Sequence, residues 1–193
     1  PPGRPPAIIG RSQWGADESM RCGNPRYDAR IQAGVVHHTA GSNDYTPQDS
    51  AGIIRSIYEY HTRTLGWCDI AYNAMVDRYG QVFEGRAGGM ARPVEGAHTG
   101  GFNHNTWGVA MLGDFEVDPP TPIQLRTTAR LLGWVLGVAG RLPRVKPSTQ
   151  GEGHERRYFY GSVWAMCIGQ PVLWFLWRVL QKSSGQYGFK LAH

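Results

Sequence analysis

The chain has 193 residues, 41% of them hydrophobic and 11% aromatic, with a formal net charge of +5. That is the composition of a soluble globular protein long enough for one domain with a real core, and it sets aside disordered and fibrous classes. The charge is uneven: residues 1–140 carry 12 Arg, no Lys and 13 acids, whereas residues 141–193 carry 8 basic residues and 2 acids. This basic tail, which also holds Trp164, Trp174 and Trp177, reads as a solvated surface, and neither nucleic acid nor a membrane is expected as a partner.

In chain order, "PPGRPPA" over 1–7 reads as an extended lead-in. "AGVVHHTA" reads as a strand. A helix follows over 46–65, with Thr46 as cap, Pro47 in the first turn, Ala51, Ile54, Ile57, Tyr58, His61 and Leu65 at helical spacing, and Gly66 just past the end. "DIAYNAMVD" and "QVFEG" flank the turn "DRYG" and predict a hairpin. "WGVAMLGDF" is a short apolar run of the kind found in buried strands. A second helix runs from the Thr121–Gln124 capping-box pattern to Gly140, with Ile123, Leu125, Ala129, Leu132, Leu136 and Ala139 on its apolar face. Strands interleaved with helices, plus one hairpin, predict an α/β domain with a mixed sheet. The apolar segment 163–180 is broken by Gly169, Gln170 and Pro171, and predicts a core or interface helix from Pro171 rather than a membrane span.

Chemistry concentrates in a few places. His37 and His38 are adjacent on one strand, so they point to opposite faces and only one can enter a given site. In an oxidising compartment Cys22 and Cys68 can pair and leave Cys167 odd; in a reducing one all three are thiols. The sequence has no Gly-x-Ser-x-Gly elbow, no Walker loop and no His-Glu-x-x-His helix. Taken singly, His61 closes a helix face, His98 sits in a loop and Arg86 makes a surface ion pair.

The motifs "VVHHTAG", "GWCDIAYN", "GQVFEGR" and "VEGAHTGGFNHNTWGVAMLGDF" together resemble the peptidoglycan recognition protein family, related to the zinc-dependent N-acetylmuramoyl-L-alanine amidases, from about Ile8 to Gly140. The resemblance implies a central mixed β-sheet flanked by helices below a substrate groove. It implies an exported, wall-associated protein of the actinobacterial type with a Cys22–Cys68 disulfide. It gives His37 a zinc-ligand role and Tyr72 the part of polarising the scissile carbonyl. "GEGHER" puts His154 where the second ligand belongs. Arg86 with Gly66 and Trp67 resembles the set that reads diaminopimelate in the peptidoglycan stem peptide, and His61, His98 and Asn103 line the groove.

The pattern departs from the family at the third ligand. The position eight residues after His154, where the family carries cysteine, is Ser162; the nearest cysteine is Cys167. The domain is accordingly expected over 8–160, with a divergent tail over 161–193. Two functions follow: a zinc amidase with His37, His154 and Cys167 as ligands, or a module that binds peptidoglycan without cutting it.

Overall fold

The computed structural model describes residues 4–140 and, beyond them, the backbone of three short strands. His154, Ser162, Cys167 and the segment from Pro171 lie outside the described residues. The strands are β1 (Ile8–Ile9), β2 (Ala33–His38), β3 (Ala74–Val76), β4 (Val82–Glu84), β5 (Thr106–Met111), β6 (Pro147–Ser148), β7 (Tyr158–Tyr160) and β8 (Val163–Ala165). Their order in the sheet is β1-β4-β3-β5-β2-β8-β7-β6. The β1–β4, β3–β5, β5–β2 and β2–β8 pairs are parallel, and β3–β4, β6–β7 and β7–β8 are antiparallel. This is the mixed sheet the sequence predicts, with the expected β3–β4 hairpin around Asp77–Gly80.

The helices are α1 (Arg11–Trp14), α2 (Ser50–Glu59) and α3 (Pro122–Val138). Each sheet face has its own core. One holds Val36, Val76, Trp107, Val109 and Met111 against Leu131, Leu132, Val135 and Leu136 of α3. The other holds Met75, Phe83 and Ala110 against Ile54 and Tyr58 of α2 and against Trp14. The apolar runs of β2 and β5 supply side chains to both faces, which explains why they read as continuous rather than alternating. Helix α3 crosses close over β2, because a Cβ on Gly34 would lie 2.6 Å from Leu132.

Two helix starts differ from expectation. α2 begins at Ser50, not at Thr46. The Thr46 backbone N–H and hydroxyl both donate to the Asp49 carboxylate, at 2.8 and 2.6 Å, so residues 46–49 form a separate turn ahead of the helix. α3 starts where predicted, with Thr121 Oγ1 accepting from the Gln124 N–H at 3.2 Å. Gln124 does not complete a capping box; its Nε2 donates to the carbonyls of Val76 and Leu112, each at 3.0 Å, and so ties the helix to the ends of β3 and β5. Leu125, Ala129, Leu132 and Leu136 are buried as predicted, joined by Leu131 and Val135, whereas Ile123 is 42% exposed and lies off the buried face.

The N-terminal segment is fastened to the body by Arg11. This nearly buried guanidinium donates to Glu18 at 2.7 Å, to Asp69 at 3.1 Å and to the Gly85 carbonyl, and lies over the rings of Trp14 and Tyr58. Asp69 also accepts the N–H groups of Ile70 (2.7 Å) and Ala87 (2.9 Å), binding the approach to β3 to the exit from β4. The Cys22–Cys68 disulfide is formed, closing a sequence separation of 46. No helix among the described residues is long and apolar enough to cross a membrane.

Candidate functional site

β2 and β5 pair in parallel register, with Val35 opposite Gly108 and His37 opposite Ala110. His37 therefore shares the α2 face of the sheet with Gly108 and Ala110, while His38 faces the other way. His38 Nδ1 accepts the Phe115 N–H at 3.1 Å and steadies the loop after β5. The paired histidines thus divide between a site and a structural contact.

Glycine at 108 leaves a hole in the sheet face next to His37, and the His98 ring fills it. A Cβ on Gly108 would lie 2.4 Å from both Cγ and Cδ2 of His98, and one on Gly96 would lie 2.4 Å from Cδ2. Held there, His98 Nδ1 lies 3.0 Å from His37 Nε2. The Tyr72 ring stands 5.4 Å from that of His37 and 5.8 Å from that of His61. Tyr72 arrives through the turn before β3, where Ala97 N–H and Arg86 N–H donate to the carbonyls of Ala71 and Tyr72 at 3.0 and 2.8 Å.

His61 comes from the end of α2, where the helix widens into a π-turn over Tyr60–Thr64 with Leu65 N–H donating to Tyr60 O at 3.0 Å. Such turns re-aim a side chain at helix ends. Here His61 Nδ1 accepts the Ala71 N–H at 3.2 Å, and its ring lies 4.9 Å from that of Trp67. Gly66, at φ +69°, reverses the chain and lifts the partly exposed Trp67 beside the histidine. Arg86 donates to the Ile70 carbonyl at 3.0 Å. Burial opposes its charge, while Asp69 and Glu95 favour it. Asn103 Oδ1 accepts the Thr99 N–H at 2.9 Å, bracing the loop that carries His98.

The structure thus brings His37, Tyr72, His61, His98, Trp67 and Arg86 into one neighbourhood. Sequence reasoning missed Gly108 and Asp69. A glycine inside an apolar strand signals close approach by another group, and that cue was present in "WGVAM".

Burial pushes His37 down to about 4, with a smaller contribution from His38. Burial likewise takes His61 down to about 4, and His98 to about 3, assisted by Arg86 for both and by His37 for His98. Near neutrality all three rings are uncharged, and an uncharged imidazole offers one lone pair to a metal or a proton. Among the described residues no three His, Cys, Asp or Glu side chains are grouped to hold a metal ion, so this part of the chain does not complete a metal site by itself; His37 is the ligand that the resemblance assigns to it. Its burial, neutrality and donor chemistry fit zinc.

The family model described as N-acetylmuramoyl-L-alanine amidase matches residues 27–157. The chain is 35% identical over 129 residues to peptidoglycan recognition protein 1 of Mus musculus, covering 65% of this chain and 66% of that one. It is 33% identical over 127 residues to peptidoglycan recognition protein 3 of Homo sapiens, covering 66% of this chain and 35% of that one. It therefore spans less than two thirds of the length of these relatives. Among solved structures, it superposes with a TM-score of 0.63 and 30% identity on peptidoglycan recognition protein-LE in complex with tracheal cytotoxin, a monomeric diaminopimelic acid-type peptidoglycan, over 70% of this chain and 76% of that one.

Proposed function

The chain belongs to the N-acetylmuramoyl-L-alanine amidase family, and from that premise we propose that it binds peptidoglycan and hydrolyses the amide between N-acetylmuramic acid and L-alanine, using zinc. The observation that carries the reading is the buried, uncharged His37 on the α2 face of the sheet with the Tyr72 ring beside it. His37 would hold the ion, with His154 and Cys167 as the further ligands. Bound zinc supplies the Lewis acidity that activates water and polarises the amide carbonyl.

The chain's own residues do the rest. Tyr72 donates its hydroxyl to the oxygen on which negative charge develops, a contribution of about 3 kcal/mol for one good donor. Arg86 pairs with a stem-peptide carboxylate, and Trp67 forms the wall against which the stem lies. The likeness to a protein solved with a diaminopimelic acid-type fragment supports that stem chemistry as the substrate class. The reading places the protein outside the cell at the wall, consistent with its disulfide.

A second reading, binding without hydrolysis, draws support from serine at position 162. Metal analysis, together with stem-peptide release from diaminopimelate-type walls, separates the two. The amidase reading expects about one zinc per chain and turnover that His37→Ala abolishes. Wall binding with neither zinc nor turnover would overturn it and leave the recognition module.

A further inference from the structure

We propose that a hydrogen-bond relay from Thr106 through His98 sets the tautomer of His37 and leaves Nδ1 as the nitrogen that His37 presents to a metal. From the reading above it takes only that His37 is a ligand. The direction of the relay follows from donor counting.

Thr106 Oγ1 lies 2.8 Å from the Phe102 carbonyl and 3.0 Å from the Asn103 carbonyl. Both are acceptors only, so the single hydroxyl proton goes to them. Towards His98 Nε2, 3.5 Å away, the Thr106 oxygen acts as the acceptor. His98 therefore carries its proton on Nε2, and its Nδ1 holds a lone pair. That lone pair faces His37 Nε2 at 3.0 Å, so His37 donates through Nε2–H. A neutral imidazole has one ring proton. The lone pair of His37 is then on Nδ1, which no hydrogen bond from the described residues reaches.

The opposite assignment asks Thr106 to turn its proton away from two short carbonyl contacts towards a longer one. The glycine slot formed by Gly96 and Gly108 holds the His98 ring in place, so the relay is built into the sheet. His98 is in this sense a positioning residue: it acts on the metal through His37. Partners of this kind fix ring orientation and tautomer at metal sites, and losing one typically costs 10- to 100-fold in affinity.

The test uses long-range proton–nitrogen NMR on the metal-free protein near neutral pH, with zinc affinity measured separately by chelator competition. In the wild type both His37 and His98 should show protonated Nε2 and unprotonated Nδ1. His98→Leu should release the His37 tautomer to a mixture and weaken zinc binding tenfold or more. His98→Asn places an amide oxygen near the position of Nδ1 and should restore both. If His98→Leu does not fold, Thr106→Val decides: it should spread His98 over two tautomers, and an unchanged spectrum overturns the relay. A wild-type His37 protonated on Nδ1 overturns it directly, as does a folded His98→Leu variant whose tautomer and affinity are unchanged. Expected wild-type and variant tautomers in a protein that takes up no zinc would uphold the relay and sink the amidase reading instead.

Discussion

Replacing Gly108 by alanine tests the packing on which the site depends. The new Cβ would sit 2.4 Å from the Cγ and Cδ2 atoms of His98, more than 1 Å inside ordinary contact. Either the strand or the ring must move. The strand is held: Gly108 N–H donates to Asn73 Oδ1 and Gly108 O accepts from Asn73 N–H, each at 2.8 Å, while Gly108 pairs with Val35 on the other side. The ring therefore yields, and the His37–His98 bond is lost. A lost hydrogen bond that leaves a buried N–H unpaired costs about 1–3 kcal/mol. Against this, removing a glycine stabilises by about 0.4–1 kcal/mol through the unfolded chain. The net expectation is a loss of about 1–2 kcal/mol, read as a lower urea midpoint at constant slope. Gly133→Ala is the control, because a Cβ there meets nothing within 4 Å and alanine favours the helix by about 1 kcal/mol. A Gly108→Ala protein as stable as wild type, with the His37 tautomer unchanged, would refute the slot.

Three further outcomes follow from the same geometry. His37, His61 and His98 are all lowered by burial, so the unfolded chain takes up their protons first as pH falls below about 6.5. Metal-free protein should keep this stability above pH 6.5 and lose it between pH 6.5 and about 4, by about 2 kcal/mol at pH 5 from His37 alone; urea midpoints that stay level from pH 7 to 5 would contradict this. Arg86→Ala should weaken binding of a diaminopimelate-type muropeptide by about 10- to 100-fold in calorimetry, with Arg86→Lys in between because a single ammonium cannot make the two-pronged contact. Cys22→Ala with Cys68→Ala opens a loop of separation 46, which the chain-entropy estimate values at about 4 kcal/mol; a melting temperature within a degree or two of wild type would contradict it.

Much of the frame was legible because its signals are local. The Thr121 cap, the β-branched run in β2 and the turn between β3 and β4 each depend on neighbours a few positions away. The alternation of β2 was enough to divide His37 from His38. The start of α2 was misread because Thr46 and Asp49 both have cap chemistry, and only three-dimensional contacts show that they satisfy each other. Gln124 followed a helix-start pattern locally, yet its amide serves strand ends 48 and 12 positions away. The His98 slot needed knowledge of which strands pair, and pairing between residues 34 and 107 is not written in either segment alone. The proposed ligands His154 and Cys167 lie outside the described residues.

The arginine at position 11 lies ahead of residue 27, where the family match begins. A protein trimmed to the matched segment would keep His37, Trp67, Tyr72, Arg86 and His154, though not Cys167. It would also leave the Asp69 carboxylate without its cation, beneath the two backbone segments that deliver Tyr72 and Arg86. The segment from Arg11 to Glu18 thus acts as a keystone set behind the site, and shortening the chain to its most recognisable part would loosen the site from the rear.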